Sequence, residues 1–289
     1  MLTETDIATY RRDGVLVVPQ VLDAADLTEL RGVIAGIVAG AASVDSNDDV
    51  YDLEPTHSRA MPRVRRIKAP TRVHPIFNDL LRRPRVLAIL QALIGPALRL
   101  HGSKLNMKAA QYGSPVEWHQ DWAFYPHTND DILAIGVMLD DTDLENGAML
   151  VSPGTHTGPV WNHHGTDGRF CGMIAPGDVE AEIARAMPCT GRAGSMSFHH
   201  VRALHGSALN TSNRSRNLLL YEVAAADAWP LMGVKDFDEF NSRMIVGDPT
   251  IEPRVTPVPV RMPLPPALRQ GSIYENQLGS GRGYFRRVA

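Results

Sequence analysis

From Thr3 to Asp13 the polar and apolar positions suit a short helix, with Thr3 or Thr5 placed to cap it and Gly14 to stop it. Val15-Leu16-Val17-Val18 follows as an unbroken apolar run closed by Pro19, the pattern of a buried strand. Asp23-Ala24-Ala25-Asp26 then opens a second helix, in which Leu27, Leu30, Val33 and Ile34 share one face and form a core stripe. A further helical pattern runs from Pro75 to Leu93, broken at Pro84 and ended by Gly95-Pro96. Between Gly40 and Pro62 the periodicity disappears. Long loops in compact enzymes often act as lids, so this one is expected to cover a site.

After Pro96 the pattern changes to short alternating runs separated by turns, which predicts a β sandwich or barrel. Leu98–His101 and Lys104–Lys108 are strand candidates, and in the second Lys104, Asn106 and Lys108 share a face. They lead through a turn at Gly113-Ser114-Pro115 to Glu117-Trp118-His119-Gln120-Asp121-Trp122. Ile132–Leu139 is almost wholly apolar and suits the middle of a sheet. Met149-Leu150-Val151, Ser195–His199 and Arg216–Val223 supply further strands, and Arg169–Ala186 reads as irregular with a short helix. The tail from Pro249 is rich in Pro and expected to wrap the surface. With no internal repeat, the chain reads as a single domain, 1–289: N-terminal helices over about 1–95, a β core over about 96–228 and the tail over about 229–289.

The bulk numbers narrow the class. Apolar residues make up 44% of the 289 positions and charged residues 21%, enough core for a globular fold. A formal net charge of −3 gives no reason to expect nucleic acid as a partner. No apolar stretch approaches the roughly 20 residues that cross a bilayer, and the first residues lack the basic and apolar segments of a signal peptide. Cys171 and Cys189 make no disulfide framework. The expectation is a soluble protein of the reducing cytoplasm.

His119 and Asp121 stand two residues apart, so on an extended strand an imidazole and a carboxylate project from one face. A second imidazole is available far downstream in His205-Gly206-Ser207. Two His and one carboxylate on one side of an octahedron form the facial triad of non-haem Fe(II) oxygenases. Arg216, eleven residues beyond His205, is the group that a dicarboxylate co-substrate needs, because a guanidinium pairs bidentately with a carboxylate. Ser207 shares a face with His205 and can donate to the same carboxylate.

With these residues in place the chain resembles the phytanoyl-CoA dioxygenase family of Fe(II)/2-oxoglutarate oxygenases. The likeness rests on His119-Gln120-Asp121, on Glu145-Asn146-Gly147 leading to Pro153-Gly154-Thr155-His156, on His205-Gly206-Ser207 with Arg216, and on an opening, Tyr10 to Pro19, of the family's kind. It covers roughly residues 5 to 228. The resemblance implies a mainly β fold with flanking helices, built on a double-stranded β-helix (jelly roll, cupin-like) core. It also implies Fe(II) held by His119, Asp121 and His205, and 2-oxoglutarate on Arg216 and Ser207. O2 is then consumed, succinate and CO2 are released, and an unactivated C–H bond of a small molecule is oxidised. Hydroxylation is the default outcome; desaturation, ring formation and epimerisation use the same site. Asp121 disfavours halogenation, which needs a small residue there. Lys68 and Lys104 are further co-substrate candidates by position, and Trp122, Phe124 and Asn106 are substrate candidates.

Rival assignments exist for each role. His199 competes with His205 as the distal ligand, and Arg214 with Arg216 as the anchor. His156 and His163-His164 read as structural or loop residues. Six basic residues, Arg59, Arg63, Arg65, Arg66, Lys68 and Arg72, fall within fourteen positions. They read first as a solvated charged segment; one or two of them facing the site would favour an anionic substrate. A cupin-like metalloenzyme without 2-oxoglutarate would not need Arg216, and a metal-free jelly-roll binding module would need neither it nor the triad.

Overall fold

The structure is a computed structural model and describes residues 1–110, 114–267, 273–278 and 283–285. The expected turn at Gly113 therefore lies partly outside the described residues. Helix α1 (Glu4–Asp13) begins at Thr3, whose hydroxyl and the Asp6 carboxylate cap each other's backbone N–H groups. It ends at Gly14 in the left-handed conformation, φ 71°. Helix α2 (Ala24–Gly40) has the same reciprocal cap from Asp23 and Asp26, and buries Leu27, Leu30 and Ile34. Pro84 divides the next helical stretch as expected, into α4 (Ile76–Arg82) and α5 (Pro84–Ile94), preceded by the short α3 (Pro70–Val73).

Two antiparallel sheets form the core. The larger has eight strands, in the order β1 (Val15–Val18), β9 (Met196–His200), β6 (Ile132–Met138), β11 (Arg216–Ala225), β4 (Leu98–Lys108), β3 (Val64–Lys68), β2 (Tyr51–Leu53), with β12 (Met244–Val246) also on β4. The smaller has four, β5 (Val116–His119), β10 (His205–Ser207), β7 (Met149–Val151) and β8 (Met187–Cys189). This is the jelly roll.

Strand alternation explains which face carries the chemistry. Leu105 of β4, Leu133, Ile135 and Val137 of β6, Phe198 of β9, and Leu219, Tyr221 and Val223 of β11 pack with the N-terminal helices in one large cluster. The alternate positions, among them Lys104, Asn106, Lys108, Ala134, His199, Arg216 and Glu222, face the space between the sheets. In β6 those inward positions include Ala134 and Gly136, so this strand reads as apolar throughout; at Gly136 a Cβ would lie 2.5 Å from Ser197 Oγ, which fills that space.

Three sequence expectations change. The segment from Gly40 to Pro62 is not a free lid, because Tyr51–Leu53 pairs with β3 as the last strand of the large sheet. Its Asp52, 1% exposed, takes Arg66 at 2.6 Å and Lys68 at 3.0 Å; a buried carboxylate requires such partners. Beside the expected strand β1, the N-terminal part also supplies β2 and β3, so it is more than a helical layer with one strand. The C-terminal part does more than wrap. It adds α6 (Phe237–Ser242) and β12, and α7 (Ile273–Leu278) brings Ile273 and Tyr274 to the central cavity. Its Pro-rich stretch does lie along the surface, where the Trp122 indole donates to Pro259 O at 2.9 Å. No helix among the described residues is long and apolar enough to cross a membrane.

The turn into β9 depends on Gly194, which has φ 90° and where an added Cβ would lie 2.5 Å from the backbone oxygen of Leu22. Backbone cannot yield as a flexible side chain can. Gly194→Ala is expected to destabilise the fold by about 2–4 kcal/mol, from left-handed strain and overpacking together. Urea unfolding followed by circular dichroism reads this as a lower midpoint at unchanged slope.

Candidate active site

His119 is the last residue of β5, and His205 is its direct partner on β10. This register brings together two residues far apart in sequence, with ring centroids 4.1 Å apart. Asp121 is not on the strand; it opens a single 3-10 turn, Asp121–Ala123. The carboxylate still converges: Asp121 Oδ1 lies 3.6 Å from His119 Nε2 and 3.9 Å from His205 Nε2. The ligand atoms of His119, Asp121 and His205 all fall within 4.8 Å of one another, and all three residues are buried.

Tautomers decide what these groups can do. His119 Nδ1 donates to Glu117 O at 2.7 Å and His205 Nδ1 to Ala203 O at 3.0 Å. Each ring thus spends its proton on the backbone and turns the lone pair of Nε2 inward, as metal-binding imidazoles do. Burial, reinforced by His119 and His199, pushes the His205 pKa well below its ordinary value and keeps the ring neutral. Burial alone would raise the Asp121 carboxyl. The imidazoles around it, His205 first and then His119 and His199, outweigh it and hold the pKa well below the usual carboxylate range. One carboxylate and two inward nitrogen lone pairs are a donor set that would fit Fe(II).

His199 lies beside the triad, with Nε2 3.5 Å from Asp121 Oδ2. It approaches the second carboxylate oxygen from β9, outside the convergent set. His163 accepts the Gln120 backbone N–H at Nε2, 2.9 Å, and donates from Nδ1 to Trp161 O; it braces the residue between His119 and Asp121. His156 lies against Gly14, where a Cβ would come within 2.4 Å of its Nδ1.

The cavity encloses about 50 Å³ and extends from the triad in two directions. At one end are Arg216, Ser207 and Lys108. Arg216 is 2% exposed and donates to Gly147 O, and its Nε has no hydrogen-bond partner. Burial brings its pKa down to about 10. Lys108 Nζ donates to Ser207 Oγ at 2.9 Å and to Ala208 O. Lys108 faces Arg216 directly across β4 and β11. Arg214 points elsewhere, pairing with Asp143 at 2.6 Å near the surface.

At the other end Lys104 pairs with Glu222 at 2.9 Å, beside Ala134 and His199. In register Lys104 faces Leu220, four positions along β11 from Arg216, a separation of about 13 Å at ~3.3 Å per residue. Asn106 lies between the two ends, with Oδ1 unpartnered.

The structure keeps the other candidates apart from this cavity. Lys68 is engaged with Asp52 and donates to Asp48 O at 2.6 Å. Trp122 is fully buried in a cluster with Ile132 and Val160. Phe124 does approach the triad, its ring edge-on to His119 at 5.7 Å. The basic segment is committed elsewhere: Arg59 to Asp45, Arg66 and Lys68 to Asp52, Arg72 to Glu239, Arg63 to Thr56, and Arg65 over the Tyr274 ring at 4.9 Å. Lys108, Glu222 and Tyr274 line the cavity without having been singled out from the sequence. For Lys108 the signal existed, in its shared face with Lys104 and Asn106.

A sequence profile of the family described as phytanoyl-CoA dioxygenase (PhyH) matches residues 10–218. The chain is 36% identical to the probable alpha-ketoglutarate-dependent hypophosphite dioxygenase of Stutzerimonas stutzeri, over 96% of this chain and 97% of that protein. It is 30% identical to the L-proline trans-4-hydroxylase of Streptomyces griseoviridis, over 73% of this chain and 82% of that one. Among solved structures, EctD from S. alaskensis with bound Fe superposes with a TM-score of 0.67 at 22% identity, covering 91% of this chain and 89% of that chain.

Proposed function

This chain belongs to the phytanoyl-CoA dioxygenase family, and from that premise we propose which of its residues carry the reaction and what substrate they receive. The protein is an Fe(II)/2-oxoglutarate-dependent dioxygenase that oxidises a small molecule by hydroxylation-type chemistry. In our reading the whole chain is one oxygenase domain. His119, Asp121 and His205 hold the iron, and Arg216 with Ser207 binds the far carboxylate of 2-oxoglutarate. The inward lone pairs of His119 and His205 beside the Asp121 carboxylate carry this assignment.

When bound, iron and 2-oxoglutarate supply the oxidising power: O2 is consumed, succinate and CO2 leave, and an oxygen atom enters the substrate. The chain's own residues orient and exclude. Phe124 and Phe170, ring centroids 5.0 Å apart, wall the His119 side against water. Ile273 and Tyr274 close the cavity from the C-terminal part. Glu222 holds the Lys104 ammonium at the end of the cavity opposite Arg216. An ammonium has three hydrogens, so Lys104 can still donate to a ligand.

The substrate proposed is a small anion held on Lys104, with Asn106 as a second polar contact. Two observations support it. The Lys104 ammonium lines the cavity that holds the triad, and the relative at 36% identity is named for hypophosphite. Such a substrate presents a P–H bond where others present C–H. The free thiols of Cys171 and Cys189 suit a reducing cytoplasm.

Succinate release with hypophosphite, L-proline and ectoine, each against a no-substrate blank, tests the substrate class. Stimulation by hypophosphite alone is expected; stimulation by the neutral or zwitterionic compounds alone would overturn the anion reading. Lys104→Met is expected to raise the substrate KM by about 10- to 100-fold, the range for losing one hydrogen bond to a charged group. Affinity for 2-oxoglutarate, bound at the other end, is expected to stay within about threefold in the same variant.

A further inference from the structure

His199 stands within the large sheet, between Val15 of β1 and Ala134 of β6, and lines the cavity beside the triad. It is 1% exposed, and neither of its ring nitrogens has a hydrogen-bond partner. Leaving a buried imidazole N–H unpaired costs about 1–3 kcal/mol. An apolar side chain of similar size would avoid that cost, so a polar ring here calls for an acceptor.

The acceptor is in place. Asp121 Oδ2 lies 3.5 Å from His199 Nε2, about 0.3 Å beyond the longest usual N–H···O bond. The other oxygen, Oδ1, is the one that faces Nε2 of His119 and of His205. The two oxygens therefore have different surroundings: one is turned to the ligand nitrogens, the other to His199. Asp121 also needs a lateral support that the ligand imidazoles do not. They stand on paired strands, whereas it opens a 3-10 turn. Trp122 N–H donates to Val201 O at 2.9 Å and ties that turn to the chain just beyond β9. His199, two residues before Val201, meets the same turn with its side chain. Tyr125 is the other group on this side: its hydroxyl is buried without a partner and feels the charges of Asp121 and Glu222.

We infer that His199 is a positioning residue: its Nε2–H donates to Asp121 Oδ2 and so presents Oδ1 alone to the iron. This rests on the reading above that His119, Asp121 and His205 hold the metal. The consequence is a matter of counting. Three protein donors leave three octahedral positions, two for the chelating 2-oxo acid and one for O2. A carboxylate that bound through both oxygens would take one of them.

Anaerobic titration of the Fe(II)-loaded protein with 2-oxoglutarate, followed through the visible charge-transfer band of the chelate, tests this without turnover. His199→Leu removes the donor, His199→Gln keeps one near the place of Nε2, and His199→Asn keeps one near that of Nδ1 instead. The Leu and Asn variants are expected to retain iron, to shift the band and to raise the apparent dissociation constant for 2-oxoglutarate by about 10-fold, the size of loss that follows removal of an outer partner of a metal ligand. His199→Gln is expected to return both readings to within about threefold of wild type. Should the Leu variant not fold, the contrast between Gln and Asn carries the test. Readings unchanged in all three variants would overturn the proposal. Equal changes in all three would reduce His199 to a packing residue, and a shift in Tyr125→Phe with none in His199→Leu would pass the role to Tyr125. Absence of the band in wild type would instead overturn the iron assignment itself.

Discussion

His205→Ala is expected to cost the protein its iron. The ring supplies one of two inward nitrogen lone pairs, and its Nδ1 proton is already committed to Ala203 O. Removing an outer partner of a metal ligand lowers affinity or activity by about 10- to 100-fold; removing the ligand itself is expected to lower turnover by at least ~10³-fold. The fold survives, because the backbone of position 205 still pairs with His119 and Val151 on either side. Metal content after anaerobic loading and gel filtration, together with succinate release, checks this. His199→Ala, made in parallel, is expected to retain iron, since His199 approaches only the far oxygen of Asp121. Iron retained by His205→Ala and lost by His199→Ala would exchange the two assignments.

Arg216→Met is expected to raise the dissociation constant for 2-oxoglutarate by about 10²- to 10³-fold, the cost of losing a bidentate charge-assisted contact. Methionine fills the position with an apolar chain and leaves Lys108 as the remaining cation. Arg214→Met, whose guanidinium pairs with Asp143 near the surface, is expected to bind 2-oxoglutarate as wild type does. The reverse pattern would make Arg214 the anchor.

The convergent triad was legible in the sequence because metal chemistry restricts such a site to few residue types, and His119, Asp121 and His205 are of those types at compatible spacing. The register that makes His119 and His205 neighbours was not legible, since it depends on how β5 and β10 pair across a long intervening stretch. The position of Asp121 was reached by a slightly wrong route: the strand ends at His119, and a 3-10 turn delivers the carboxylate. Lys104, Asn106 and Lys108 were visible as one face, but only the pairing of Lys108 with Arg216 and of Gly102 with Glu222 tells which end of that face meets which charge. Lys68 stood out as a lysine at a suggestive position; the competing fact was Asp52, a buried carboxylate on a strand too short to carry a periodic signal. Tyr274 had no signal, because nothing local in a Pro-rich tail records what it folds back upon.

The central claim is that His119, Asp121 and His205 hold Fe(II) in a cavity where 2-oxoglutarate also chelates it. Titrating metal-free protein anaerobically with Fe(II), then with 2-oxoglutarate, while recording the visible spectrum tests this most directly. The account predicts a charge-transfer band that needs both additions, is absent in Asp121→Ala and His205→Ala, and in Arg216→Met requires far more 2-oxoglutarate. Iron that binds stoichiometrically to wild type with no band at saturating 2-oxoglutarate would contradict it.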